Sequence, residues 1–251
     1  MSTASSPFRS IAAMTAVELR LVLRRPENLF ATIVIPTLVL VLFASVSILP
    51  TGPGRPVDFL LPGSIALGII ATSLVSLGIT TAYDRSYGVL KRLGGSPLTR
   101  GELAVARILT VLVVEAVQIA LLVSTAVVVL GWRPGPSASA GLAVITVLLG
   151  TTAFAGLGLL IAGMLRAETV LALANLLFLG FLVVGGVIVP VDRLPAPLAA
   201  LAGALPAEAL SSLLRVALAG TAGGDVGSAV ALLGGWAVAT FAVATRTFRW
   251  E

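Results

Sequence analysis

LFATIVIPTLVLVLFASVSIL, residues 29–49, carries no charged side chain and is long enough to cross a bilayer as a helix. A span needs roughly 20 mostly apolar residues, because a rise of about 1.5 Å each must cover about 30 Å of hydrocarbon. The apolar run is continuous rather than alternating, so it reads as a helix and not as a barrel strand. Outward from it, comparable runs recur at residues 62–83, 107–131, 140–164, 168–190 and 226–246. Pro62 and Asp84 bound the second of these, and only the corner 165–167 separates the fourth and fifth, as in a tight hairpin. The expected fold is an all-α integral membrane protein, one transmembrane domain over residues 1–251 with six spans.

Composition agrees. Hydrophobic residues make up 58% of the chain and charged residues 11%, where a soluble domain has about 25% charged. The chain has no cysteine and no histidine. That excludes disulfides and thiolate metal sites, and removes the commonest general base and most zinc sites. No catalytic residue, no metal site and no nucleic-acid partner is expected. Lys91 is the single lysine beside 15 arginines, and it sits in VLKRL. A Walker loop ends in Gly-Lys-Ser or Gly-Lys-Thr, so no nucleotide site of that kind exists here. If the protein uses ATP, another subunit binds it.

Arginine and lysine set the orientation. One side holds Arg9, Arg20, Arg24, Arg25, Arg85, Lys91, Arg92, Arg100, Arg107, Arg166, Arg246 and Arg249. The other holds only Arg55, Arg133, Arg193 and Arg215. Both termini are therefore expected in the cytoplasm, and nothing before residue 29 reads as a signal peptide. The preference for arginine over lysine suggests a GC-rich bacterial source, hence a bacterial plasma membrane.

Residues 7–26, PFRSIAAMTAVELRLVLRRP, are too charged to span. On a helical wheel Phe8, Ile11, Ala12, Thr15, Ala16, Leu19, Val22 and Leu23 share one arc, while Arg9, Arg20 and Arg24 cluster on another. This predicts a helix lying in the cytoplasmic interface with its arginines toward anionic head groups.

Between the second and third spans lies DRSYGVLKRLGGSPLTRG, residues 84–101. Residues 84–93 have the length of about two and a half helical turns, with Tyr87, Leu90 and either Val89 or Leu93 near one face. Gly94-Gly95 offers a left-handed helix stop, and Ser96-Pro97 forbids continuation. Thr99 to Glu102 then reads as a capping box that starts the third span. A short helix held outside the membrane between two spans is built to receive a push.

This stretch resembles the corresponding segment of the ATP-binding-cassette type-two transporter permeases, a family that includes the daunorubicin-resistance exporters. The matching residues are Asp84-Arg85, Tyr87-Gly88, Leu90, Leu93, and Ser96-Pro97-Leu98-Thr99-Arg100-Gly101-Glu102-Leu103. A second block supports it: residues 186–220, with Gly186, Pro190, Leu194-Pro195, Leu205-Pro206 and Leu214-Arg215. Arg24-Arg25-Pro26 and Pro36 fit the start of the first span. Gly94-Gly95-Ser96 departs from the bulkier residue that many members carry there. The resemblance implies a permease with ABC ATPase subunits as partners, paired as a homodimer or with a second, related permease. This chain would bind no cofactor, and ATP and Mg would sit on the ATPase. Asp84, Arg85, Tyr87, Gly88, Leu90, Lys91, Arg92 and Leu93 would form the coupling helix against the ATPase. Export of a drug-like, lipid or other amphipathic cargo is the implied activity.

Within the membrane, Glu115 stands out, since an unpaired ionisable group there costs a few kcal/mol or more. Gln118 and Asn175 are its expected partners, and the three are the candidate residues of a substrate pathway. An interhelical hydrogen bond that fixes packing is the favoured reading over a substrate contact. Gly227, Ala231, Gly235 and Ala239 form a small-residue stripe in the last span, and the fourth span carries Gly150, Gly156, Gly158 and Gly163; packing seams within the subunit are expected. Residues 197–220 are punctuated by Pro197 and Pro206 and read as two short helices dipping into the outer leaflet, with Glu208 and Arg215 at the rim. Two alternatives remain: an ion-coupled carrier working through Glu115, which would need more titratable groups and an internal repeat, and a membrane-embedded enzyme.

Overall fold

The computed structural model describes residues 7–24, 26–46, 54–96, 98–187, 190–220 and 225–247, and of residues 26–32 the backbone alone. Arg25, Pro97 and Arg249, together with the expected span ends at 47–49 and 188–189, lie outside the described residues. Among the described residues there is no strand. The helices are α1 (Pro7–Leu23), α2 (Pro26–Val46), α3 (Pro56–Ile70), a π-helical segment (Ala71–Ser76), α4 (Leu77–Ser86), α5 (Val89–Gly94), α6 (Arg100–Val128), α7 (Ala140–Met164), α8 (Ala167–Val184), α9 (Ala196–Ala202), α10 (Pro206–Ala219) and α11 (Val226–Thr247).

Among the described residues, five helical stretches are long and apolar enough to cross a bilayer: Pro56–Ser86, α6, α7, α8 and α11. The α2 helix adds 21 residues, apolar over Ile33–Val46. The fold is an all-α integral membrane protein. α9 and α10 meet at a 79° bend, so the segment after α8 folds back on itself as two short helices.

The second span is the axis of the fold. α3, the π segment and α4 form one continuous helix, 31 residues long, buried along nearly all of its apolar length. It begins at Pro56, earlier than the expected start at 62. Pro56 occupies the first turn, where its missing N–H costs nothing, and Asp58 complements the helix N-terminus. Pro62 lies inside the helix, buried rather than bounding it. α2, α6, α7, α8 and α10 all pack against this axis, and Leu61, Ile69, Ile70, Leu74, Phe154 and Leu210 form the fully buried centre. Phe154 and Phe181 meet edge-to-face at 5.4 Å, joining α7 to α8.

Glycine decides how closely α7 can approach. A Cβ on Gly158 would lie 2.9 Å from the carbonyl oxygens of both Ser73 and Leu74. One on Gly156 would lie 2.4 Å from Thr240 Oγ1 on α11. Gly150, Gly156, Gly158 and Gly163 are all buried, the expected seam. The α11 stripe behaves differently: Gly227, Ala231, Gly235 and Ala239 are all exposed. α11 uses Leu233, Ala237, Thr240 and Ala244 against the subunit instead, because one stripe of a helix must face outward when its neighbours, α7 first and then α10, cover only one side.

The two ends of the bundle differ. At one end, α10 closes over the mouth of α8: Ser211 donates to Gly185 O at 2.9 Å and Arg215 donates to Gly186 O at 2.9 Å. Gly186 holds a left-handed backbone, φ +67°, which turns the chain under α10. The Arg215 guanidinium lies 4.7 Å from the Phe59 ring centroid. Arg215 is thus an internal strut, not the rim group expected of it. The other end carries α1, α5, the α7–α8 corner and the end of α11, and gathers most of the arginine.

Candidate functional site

The site lies at the arginine-rich end, where the central helix leaves the bundle. α4 runs on through Asp84 and Arg85 to Ser86, so these two residues close the long helix instead of opening the short one. Gly88, at φ +72°, makes the break; a side chain is strained in that region, and glycine is not. The short helix is then only α5, Val89–Gly94, rather than all of residues 84–93. Gly94 and Gly95 do not supply a left-handed stop: Gly94 is helical and Gly95 has φ −79°. The left-handed glycine precedes α5 instead of ending it.

The two faces of α5 divide the expected coupling residues. Leu90 is fully buried on Leu103, with Met14, Leu93 and Leu98 around it. It anchors α5 to α6 and α1 and cannot itself meet a partner. Tyr87 is 72% exposed and stacks on Tyr83 at 5.8 Å. Val89, Lys91 and Arg92 are exposed with it. Beyond α5, Thr99 and Glu102 form the expected capping box: Glu102 N donates to Thr99 Oγ1 at 3.2 Å and Thr99 N donates to Glu102 Oε2 at 2.7 Å. This nucleates α6 directly after the turn.

An ionic cluster ties α1, α4 and α6 together beneath α5. Arg107, on α6, is 2% exposed. Its Nη2 meets Asp84 Oδ2 at 2.5 Å, its Nη1 donates to Thr81, and its Nε lies 3.2 Å from Glu18 Oε1 without the alignment of a hydrogen bond. Arg85 reaches the other way and donates to Leu165 O at the α7–α8 corner. Glu18 and Arg107 escaped sequence reasoning. Arg107 weighed only as one more positive charge, yet an arginine two turns inside an apolar helix needs a partner. Glu18 is the single acidic residue of α1, on the same helical face as Thr15 and Val22.

α1 leans on α6 through Ile11, Thr15, Leu19 and Val22, half-buried, with Thr15 Oγ1 3.4 Å from Ala106 O. The rest of the expected apolar arc, Phe8, Ala12, Ala16 and Leu23, is exposed, and so are Arg9, Arg20 and Arg24. Between α1, the π segment, α4, α5 and α6 lies a cavity of about 240 Å³. Glu18, Asp84 and Arg107 line it, with Thr72, Ser76, Thr80 and Thr110 and a larger set of aliphatic side chains that includes Leu21, Leu77, Val111 and Val114.

Glu115 lies deeper, fully buried. Ser73 of the π segment donates to its Oε1 at 2.7 Å, and Thr151 of α7 donates to its Oε2. The expected partners are not these. Asn175 is exposed on α8 and donates to Leu171 O of its own helix. Gln118 is buried against Gly68, whose added Cβ would fall 2.4 Å from Gln118 Nε2. Glu115 therefore joins three helices, and Asn175 is not among its hydrogen-bond partners.

No curated protein matches the chain. The model of the ABC-2 type transporter family matches residues 9–218, from the start of α1 to the last turn of α10, and so takes in α5, the ionic cluster and the Glu115 hub. The chain thus belongs to the ABC-2 type transporter family, as a multi-pass membrane permease subunit of an ABC transporter.

Proposed function

We propose that the chain moves an amphipathic cargo outward, driven by a separate ATPase that pushes on α5. The observation that carries this reading is the two-faced seating of α5. Leu90 pins it to the bundle, while Tyr87, Val89, Lys91 and Arg92 are exposed. A push on the exposed face has a stiff route inward: Asp84 ends the 31-residue central helix, and Arg107 ties that end to α6 and, through Glu18, to α1. The arginine-rich end faces the cytoplasm in this reading, by the positive-inside rule. α1 lies in the interface there, with Arg9, Arg20 and Arg24 toward anionic lipid. ATP and Mg bind the ATPase, and two permease chains, identical or related, enclose the path.

The test is co-purification with an ABC ATPase expressed from the neighbouring reading frame, followed by ATPase assay. The permease alone hydrolyses no ATP, and the complex does. Tyr87→Asp abolishes association while the chain still elutes as a folded particle. Association of the Tyr87→Asp chain at the level of the unaltered one would overturn the assignment of α5, and transport at full rate without the ATPase would overturn the whole reading.

A further inference from the structure

We propose that the cavity between α1 and the central helix is a binding site for a lipophilic amine, its ammonium seated against Glu18 and Asp84. The charge balance of the wall sets the sign of the ligand. The ion pairs of Glu18 and Asp84 are both with Arg107. Among the described residues, two carboxylates thus share one guanidinium, and one negative charge is left over where the side chains are only 14% and 26% exposed. A partly buried charge without a counterion is costly. An added monocation neutralises it. An anion finds no vacancy: Arg107 is 2% exposed and already meets two carboxylates that repel it.

The rest of the wall sets the body of the ligand. Beyond the charged end it is mainly aliphatic, with Leu21, Leu77, Val111 and Val114. The hydroxyls of Thr72 and Thr110 there are already spent on the carbonyls of Gly68 and Ala106. Thr72 and Asp84, both lining the cavity, lie about 18 Å apart along the helix at 1.5 Å per residue. A charged head with an alkyl tail of about ten carbons matches that slot, since its length of roughly 13 Å fits within it. The mouth is flanked by Val17 and Leu21 of α1, about half exposed. No residue of α1 is buried, so α1 can shift to admit such a chain. The site holds whatever drives the permease, and its failure leaves the role of α5 untouched.

The test uses the full chain in phosphatidylcholine nanodiscs. The chain has no cysteine, so Val17→Cys places a single bimane reporter at the mouth. n-Decylamine is titrated against decanoate and decanol. Decylamine saturates the signal with an affinity about tenfold or more above the other two, as expected of one added charge contact in a partly buried setting. Glu18→Gln removes that preference while leaving decanol unchanged. Val111→Phe, which fills the slot without touching the charges, abolishes saturable binding by decylamine and keeps the proposal testable should Glu18→Gln fail to fold. Equal binding of all three amphiphiles, or unaltered decylamine binding by Val111→Phe, overturns the proposal. With decylamine bound, competition by phosphatidylethanolamine in the disc assigns the site to bilayer lipid, and its absence assigns it to a soluble amine.

Discussion

Asp84, in the last turn of the central helix, and Arg107, two turns into α6, meet at 2.5 Å. Neither is adjacent in sequence to the other, and the pair spans the turn that holds α5. Their contact converts a loop between two apolar helices into a braced corner. Glu18 completes the brace from α1. The corner is the point where the N-terminal helix, the central helix and α6 share a single guanidinium.

Removing that guanidinium strands two carboxylates. Arg107→Met is expected to cost about 3–5 kcal/mol, the usual price of leaving a buried charge uncompensated. The triple variant Glu18→Gln, Asp84→Asn, Arg107→Met is expected to recover most of it, because no charge is then left unpaired. Unfolding by SDS titration in mixed micelles measures both. A triple variant as unstable as the single one would show that the cluster contributes through shape and not through charge.

Close approach of α7 to the π segment rests on Gly158. An alanine methyl there meets two backbone oxygens at 2.9 Å, and backbone cannot swing aside as a side-chain tip can. Gly158→Ala is expected to destabilise by about 1–3 kcal/mol. Gly235→Ala meets nothing within 4 Å and is expected to stay within about 0.5 kcal/mol of the unaltered chain. Measured side by side in the same micelles, a Gly235→Ala cost equal to that of Gly158→Ala would contradict the outward placement of the α11 stripe.

Those two glycines show where sequence reading reaches its limit. The long apolar runs announce helices, since hydropathy alone decides that a segment of such length must span, and the capping box at Thr99 and Glu102 is a local pattern with a local cause. Which side of a helix faces a neighbour is a different matter. Small residues mark a seam in α7 and an open face in α11, because orientation depends on how the neighbouring helices surround each one. The same holds for Glu115. Its burial was legible from hydropathy, whereas its partners, Ser73 and Thr151, are ordinary hydroxyls on other helices and carry no signal of their own. Leu90 fell on the wrong face for the related reason that α5 starts only after Gly88, which rotates every later residue relative to a helix begun at Asp84.

Glu115 as a packing hub predicts a graded series. Glu115→Gln keeps an oxygen acceptor between Ser73 and Thr151 and is expected to change stability by less than about 1 kcal/mol. Glu115→Leu leaves both hydroxyls without their shared acceptor and is expected to cost about 1–3 kcal/mol. Transport by the Glu115→Gln chain at the unaltered rate would agree with a structural role. Loss of transport with stability intact would place the carboxylate on the cargo path.

The pinned and exposed sides of the α5 corner predict opposite signatures for Leu90, inside α5, and Tyr87, just before it. Leu90→Ala removes a fully buried side chain, which in a core of this kind costs about 2–5 kcal/mol. The loss is local, because among the described residues Leu90 packs in the small cluster with Leu103, Met14, Leu93 and Leu98 and not in the main core. α5 should therefore loosen before the bundle does, and trypsin should cut after Lys91 and Arg92 faster than in the unaltered chain. Tyr87→Ala removes a ring that is mostly in solvent and is expected to leave stability within about 0.5 kcal/mol and tryptic cleavage unchanged. If α5 receives the ATPase, both variants weaken association, but only Leu90→Ala does so with a change in proteolysis. Faster cleavage in Tyr87→Ala and none in Leu90→Ala would mean that the pinned and exposed sides are the reverse of those described.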